Sequence, residues 1–458
     1  MLSKPVTEYL TANRQPHLEA LLDLLRIPSV SNHSDGACEQ AAQWLRDRLG
    51  GLGFQARVVP TACQPAVLAS REDDPSLPTL LVYGHYDVQP LDPLELWDSD
   101  PFDPQVRDGR IYARGANDDK GQLMAQLAAV EAWVRADLPL PVNLRFFIEG
   151  EEEIGSPSLE SFLADHAEAL AADAVVISDS EFFARGVPSL TVALRGLLYM
   201  QIDVQGPDRD LHSGIHGGAV ENPLNALAAL LGSLHDESGR VAVEGFYDGV
   251  GQVGAEELAE WEQLPFSEAE YARSLGIPAV TGGEEGLSVL QRRWARPTLD
   301  VNGVWGGYQG PGSKTVIPAR AGAKLSCRLV AGQEPQAVFE AIRRHLRDRA
   351  PAGVQLTIEA YGQARPVEVA PDSPVLAAGL AALEEAFEAP ARKIRCGASV
   401  PVTEAFQRVL GIPPVLMGFG LPDDNIHSPN EKFDLEQFYK GAHAAAAFIQ
   451  NLAGAVKR

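Results

Sequence analysis

Thr79-Leu-Leu-Val-Tyr83 is a short, mostly apolar run that stops at Gly84, and His85-Tyr-Asp87 follows at once. An apolar run of this length closed by glycine reads as a buried strand. The arrangement recurs along the chain. The strand-like residues 142–148 precede Glu149-Gly-Glu151-Glu152-Glu153, and Ala174-Val-Val-Ile177 precedes Ser178-Asp179. Pro414-Val-Leu-Met-Gly418 precedes Asp423-Asp-Asn-Ile-His427. Between these runs, residues 120–136 place Leu123, Leu127, Val130 and Val134 on one helical stripe, with Asp118 or Asp119 at the cap position. Residues 16–25, 37–49 and 375–387 also have helical periodicity. Strands alternating with helices predict an α/β architecture around a mostly parallel sheet.

The middle of the chain reads differently. Residues 197–204 alternate, and 323–329 place Ala323, Leu325, Cys327 and Leu329 on one face against Lys324, Ser326 and Arg328 on the other. Helices are expected from Pro223 to about 235 and over 335–350, with a strand over 354–361. Residues 236–290 are acidic, broken by Gly and Pro, and show no strand pattern. The organisation expected is a first catalytic part over 1–196, an inserted α+β domain over 197–370, and a second catalytic part over 371–458.

Composition narrows the function. The 458 residues carry 38 Lys and Arg against 62 Asp and Glu, a net charge of −24. A surface this acidic repels phosphates, so neither nucleic acid nor an anionic membrane is an expected partner. Four cysteines without a Cys-x-x-Cys pair argue against a disulfide framework or a thiolate zinc site. No apolar signal segment opens the sequence, which points to a reduced, cytoplasmic protein.

Ligands of open α/β sheets bind beyond the carboxyl ends of the strands. The acidic and histidine clusters occupy such ends, and Asn117-Asp118-Asp119-Lys120-Gly121 opens a helix beside them. Taken singly, each has an ordinary reading: a solvated glutamate run, a structural His–Asp pair, a helix cap. Converging carboxylates, however, repel one another unless cations neutralise them. Several carboxylates with two histidines and no thiolate suit Zn²⁺, Mn²⁺ or Co²⁺ better than an all-oxygen Mg²⁺ cage. The inventory is large enough for two ions sharing a bridging carboxylate.

Gly84-His85-Tyr-Asp87-Val-Gln-Pro90, Arg114-Gly-Ala-Asn-Asp118-Asp-Lys-Gly121, Glu149-Gly-Glu-Glu-Glu153-Ile-Gly-Ser156, Asp210-Leu-His212-Ser-Gly214 and His427-Ser-Pro-Asn-Glu431 occur in this order. Together they resemble the aminoacylase/carboxypeptidase/carnosinase family of dinuclear metallopeptidases, nearest its cytosolic non-specific dipeptidase branch. The resemblance implies a zinc-peptidase-like catalytic domain with an inserted lid and dimerisation domain, and a homodimer formed through that lid. It implies that His85 and Asp179 hold one metal ion, that Glu153 and His427 hold the other, and that Asp118 bridges them. Asp87 would orient His85. Glu152 would be the general base; the residues alone leave Glu151 and Glu152 equivalent, and the Ile154-Gly155-Ser156 register of the family chooses Glu152. His212, from a neighbouring subunit, would stabilise the oxyanion, and Arg328 would hold the substrate carboxylate. Thr315 and Ser399 match further substrate contacts.

The implied activity is hydrolysis of dipeptides or very short peptides. Asp at position 179 resembles the family's dipeptidases and aminopeptidases, whereas Glu is more typical of its acylases, carboxypeptidases and desuccinylases. An N-acyl or N-carbamoyl amino-acid amidohydrolase is the alternative, and a non-catalytic binding module retaining the fold is a third reading. Gly310-Pro-Gly312-Ser-Lys314-Thr315 only hints at a phosphate loop, because Ser313 separates glycine from lysine and no strand-loop-helix unit surrounds it. No Gly-x-Ser-x-Gly elbow is present.

Overall fold

A computed structural model describes residues 1–456, with only the backbone of Pro401. The chain divides into two units: 1–192, 369–394 and 401 onward form the first, and 193–368 with 395–400 form the second. The return of 395–400 to the second unit leaves no trace in hydrophobic pattern.

The first unit is built on a mixed sheet of β1 (Gln55–Val59), β2 (Ala66–Arg71), β3 (Thr79–His85), β4 (Asn143–Glu149), β5 (Ala174–Ile177), β6 (Ser189–Leu194) and β7 (Pro414–Leu416). Their order in space is β1-β2-β4-β3-β5-β7-β6. The central pairings β4/β3, β3/β5 and β5/β7 are parallel, and the flanking ones are antiparallel. β3 is buried along its whole length, as the central position of a mostly apolar run requires. Register then decides where the chemistry emerges. His85 lies beside Glu149, Tyr83 beside Ile177, and Ile177 beside Leu416. The segments that begin at 85, 150, 178 and 417 therefore leave along one edge of the sheet.

Helix Lys120–Arg135 packs on this sheet. Leu123, Leu127 and Val130 are buried as its stripe predicts, but so are Lys120, Gln122, Gln126 and Trp133. Helix Leu435–Ala455 packs against it. Its buried side is built largely of small residues, Gly441, Ala442 and Ala444–Ala447, while Glu436, Lys440, His443 and Gln450 stay at least partly exposed. Strands β1 and β2 lack a distinguishing pattern.

The second unit is a four-stranded antiparallel sheet in the order Thr298–Gly306, Arg320–Leu329, Gly196–Gln205, Gln355–Ala364. Leu198, Met200, Ile202 and Val204 alternate inward with Ala323, Leu325, Cys327 and Leu329. Helices Pro223–Gly232 and Pro335–Arg349 cover that face with Ala226, Leu227, Leu230, Val338, Ile342 and Leu346. The acidic stretch contains two short helices, Ala255–Glu262 and Glu268–Ser274, and a third, Val289–Trp294, begins at its end. Buried Glu284 ties Arg240 to Arg296 there. The glycine-rich segment 310–315 leads into a strand rather than a helix, so it forms no phosphate loop.

Candidate metal centre

His85 closes β3 and is fully buried. Its Nε2 lies 3.1 Å from Asp118 Oδ1 and 3.9 Å from Asp179 Oδ2. His427 Nε2 lies 2.8 Å from the other Asp118 oxygen, Oδ2, and 3.2 Å from Glu153 Oε2. Two three-residue groups result, His85–Asp118–Asp179 and Asp118–Glu153–His427, each with its ligand atoms within 4.8 Å of one another. Asp118 belongs to both, one oxygen facing each group. All five residues expected to hold metal converge here.

The donor set fits divalent cations. His85 Nε2 is buried without a hydrogen bond of good geometry. Asp179 is pushed up to about 7 by burial and by the neighbouring charge of Asp118. Burial also raises Glu152, and the charges of Asp179, Asp118 and Glu153 outweigh His85 to bring it to about 9. Hydrogen bonds with Asp118 and Glu153 push His427 up to about 10. Burial opposes ionisation of Asp118, but the two imidazoles hold it well below the usual carboxylate range. Carboxylates this close, short of positive charge, form the environment a cation relieves.

The surroundings hold the ligands in place. His85 Nδ1 faces the carbonyl of Asp87 at 3.1 Å and its carboxylate at 3.4 Å. The same carboxylate accepts the backbone N–H groups of Glu152 and Glu153 at 3.3 and 3.0 Å. Asp87 thus sets the imidazole and the glutamate turn together. Gln89 Nε2 donates to Glu153 Oε2 at 2.8 Å. Glu151 and Glu152 differ in their surroundings. Glu151 is buried and accepts from the hydroxyls of Thr61 and Ser158 and from the amides of Cys63, Gln64 and Ser158. It is spent on structure. Among the described residues no donor reaches the Glu152 carboxylate.

Neither Asp118 nor Asp119 caps the following helix through its side chain. Asp118 turns into the cluster, and Asp119 Oδ2 accepts the His85 amide at 3.2 Å.

His212, Thr315, Arg328 and Ser399 lie in the second unit. His212 pairs with Val316 across a two-residue ladder, its Nδ1 accepts the Gly214 amide at 3.0 Å, and Ser213 N–H donates to the Thr315 carbonyl at 3.1 Å. Arg328 Nη1 donates to Ser399 Oγ at 2.9 Å, and that hydroxyl donates to the Arg195 carbonyl. Burial and the charge of Arg328 lower Arg195 to about 10. Among the described residues neither guanidinium has an ion-pair partner.

Residues 81–451 match Peptidase family M20/M25/M40. The chain belongs to this family. A Beta-Ala-His dipeptidase of Homo sapiens is 35% identical over 395 residues, covering 85% of this chain and 78% of its own. A Cys-Gly metallodipeptidase of Schizosaccharomyces pombe is 34% identical, covering 85% and 83%. The solved M20 family metallo-carboxypeptidase Sso-CP2 from Sulfolobus solfataricus superposes with a TM-score of 0.85 at 34% identity, covering 95% of this chain and 99% of that one. The resemblance carried by the motifs is therefore the true one, and the α/β fold with an inserted α+β unit is the family's.

Several residues that build this M20 site had no role assigned from sequence. Glu431 accepts from the Arg114 guanidinium and from loop amides, and Asp424 accepts from the Asn117 side chain and the Leu421 amide. Gln126 Nε2 donates to Ser178 Oγ at 2.6 Å, next to Asp179. Gln122 accepts the Phe419 amide at 2.7 Å, and Gln437 donates to the Phe419 carbonyl. Polar residues at buried positions of apolar helices were the available signal, since such groups must find partners.

Proposed function

We propose that this M20 chain is a metal-dependent dipeptidase, with His85, Asp118, Asp179, Glu153 and His427 holding two divalent ions, Zn²⁺ or Mn²⁺ and with Co²⁺ as a substitute. The observation that carries this is Asp118 facing a ligand group with each oxygen, with an uncommitted carboxylate, Glu152, alongside. Bound ions would polarise the scissile carbonyl and bring the pKa of a water toward neutrality. Glu152 takes that water's proton and delivers it to the leaving amine. Positive charge in the cluster counters the neighbouring carboxylates that raise Glu152, returning it to the basic form. Asp87 fixes the His85 tautomer. His212 stabilises the developing oxyanion from a second subunit of a homodimer. Arg328, steadied by Ser399 and with no ion-pair partner among the described residues, binds the substrate's free C-terminus, and Thr315 lines that part of the site. Relatives named as dipeptidases, and Asp at position 179, support small peptides as substrates.

The likeness to a metallo-carboxypeptidase supports a second reading, removal of a C-terminal residue from N-blocked substrates, and the same comparison tests an N-acyl amidohydrolase. Turnover of Ala-Leu, N-acetyl-leucine and an N-blocked dipeptide by metal-loaded protein separates them. Rapid hydrolysis of Ala-Leu alone is the expected result; preference for either blocked compound would overturn the dipeptidase reading. The resemblance to the cytosolic dipeptidase branch supports a cytoplasmic location; separately, among the described residues no helix is long and apolar enough to cross a membrane.

A further inference from the structure

His427 stands on a loop, between β7 and the strand Lys432–Asp434, at φ +59°, with half of its side chain exposed. Asp118 also stands on a loop, ahead of helix Lys120–Arg135. No regular element holds either residue, yet their ligand atoms meet at 2.8 Å. One buried carboxylate joins the two loops. Glu431 is fully buried; its Oε2 accepts from Arg114 Nη1 at 2.7 Å and from the Gly115 amide at 3.0 Å. Its Oε1 accepts the amides of Asn117 and Asp118 at 3.0 and 3.1 Å. Four donors within five residues of one loop therefore end on a side chain four residues beyond His427. Arg114 is itself buried and donates to the Pro90 carbonyl at 3.1 Å. Close by, Asp424 accepts Asn117 Nδ2 at 3.0 Å and the Leu421 amide at 2.7 Å, fastening the other end of the His427 loop.

We infer that Glu431 is a positioning residue that sets the distance between Asp118 and His427 and so tunes affinity at the Asp118–Glu153–His427 group. The inference rests on the two-ion reading of the cluster. Charged acceptors bind amides more strongly than neutral ones. In Glu431→Gln one oxygen becomes an amide nitrogen facing donors, so one end of the Arg114–Asp118 loop is released. A residue that supports metal ligands in this way is worth ~10–100-fold in metal affinity.

The test uses full-length wild type, Glu431→Gln, Glu431→Asp, Arg114→Lys and His427→Ala, stripped with chelator and titrated with Zn²⁺ against an indicator. Hydrogen exchange of residues 114–118 is followed in the same metal-free proteins. Glu431→Gln is expected to weaken one of two equivalents by ~10–100-fold. That equivalent should be the one lost in His427→Ala, and exchange at Gly115, Asn117 and Asp118 should be faster. Unchanged affinity for both equivalents, or equal weakening of both, overturns the inference. If Glu431→Gln does not fold without metal, Glu431→Asp and Arg114→Lys, which keep the charge and alter the reach, must show the same selective loss. Failure of wild type to take up two ions would sink the two-ion reading instead.

Discussion

Glu151, Glu152 and Glu153 show how neighbours of one residue type acquire different work from their surroundings. Glu151 is consumed by hydroxyl and amide donors, Glu153 points toward His427 and Asp118, and Glu152 is left beside the cluster with no hydrogen-bond donor among the described residues. Replacing Glu152 by Ala is therefore expected to leave metal content unchanged and to lower kcat by ~10²–10⁴. Metal analysis and steady-state kinetics on one preparation check this; a variant that keeps most of its turnover removes Glu152 as the base. A second expectation concerns protons. His427, pushed up to about 10 by Asp118 and Glu153, and Glu152, pushed up to about 9, hold protons at neutral pH in the metal-free chain. Metal requires the deprotonated imidazole. The metal-free state thus binds more protons, so apparent affinity should rise with pH until Glu152 and His427 lose theirs, at about 9 and about 10. Calorimetry in buffers of different ionisation enthalpy should reveal proton release on loading, and heats independent of buffer would contradict it. The converging residues were legible as imidazole and carboxylate clusters at strand ends, and the family resemblance supplied their proposed division between two ions. Glu431 and Asp424 were not, because their partners are backbone amides, which every residue has.

Elements bring these residues together through register. The ends of β3, β4, β5 and β7 are aligned, so apolar runs followed by polar clusters were enough to predict convergence. What periodicity could not show were elements of weak contrast. Helix Leu435–Ala455 builds its buried side largely of small residues, and the edge strand Thr298–Gly306 mixes exposed Val301 and Val304 with polar residues. The junction between the Asp118 loop and its helix depends on Gly121. A Cβ there would collide with the Ala116 carbonyl oxygen and the Phe433 ring. Gly121→Ala should cost about 1–3 kcal/mol, as overpacking does. Because the displaced oxygen belongs to the Asp118 loop, metal affinity should fall as well. Thermal unfolding in chelator separates the two effects, and a variant with wild-type unfolding temperature and wild-type affinity would refute this account of the turn.

For the whole molecule, the two units divide the residues of the proposed reaction: the metal cluster lies in the first, and His212, Thr315, Arg328 and Ser399 lie in the second. The inserted unit was legible from its alternating strands, whereas the return of 395–400 to it depends on packing far along the chain. If His212 serves a partner's site, His212→Ala and Glu152→Ala are each inactive alone yet complement when mixed under conditions of subunit exchange. Random pairing should restore roughly a quarter of wild-type turnover, since half of the dimers are mixed and each has one complete site. No recovery would place His212 in its own subunit's chemistry or outside the reaction. Beneath all of this lies the proposal that one aspartate, Asp118, joins a pair of ions. Anomalous diffraction at the absorption edge of the metal in crystals of loaded protein measures that directly. Two peaks per chain, one between His85 and Asp179 and one between Glu153 and His427, with Asp118 touching both, are the result expected. A single peak, or ions that leave Asp118 untouched, would contradict the account.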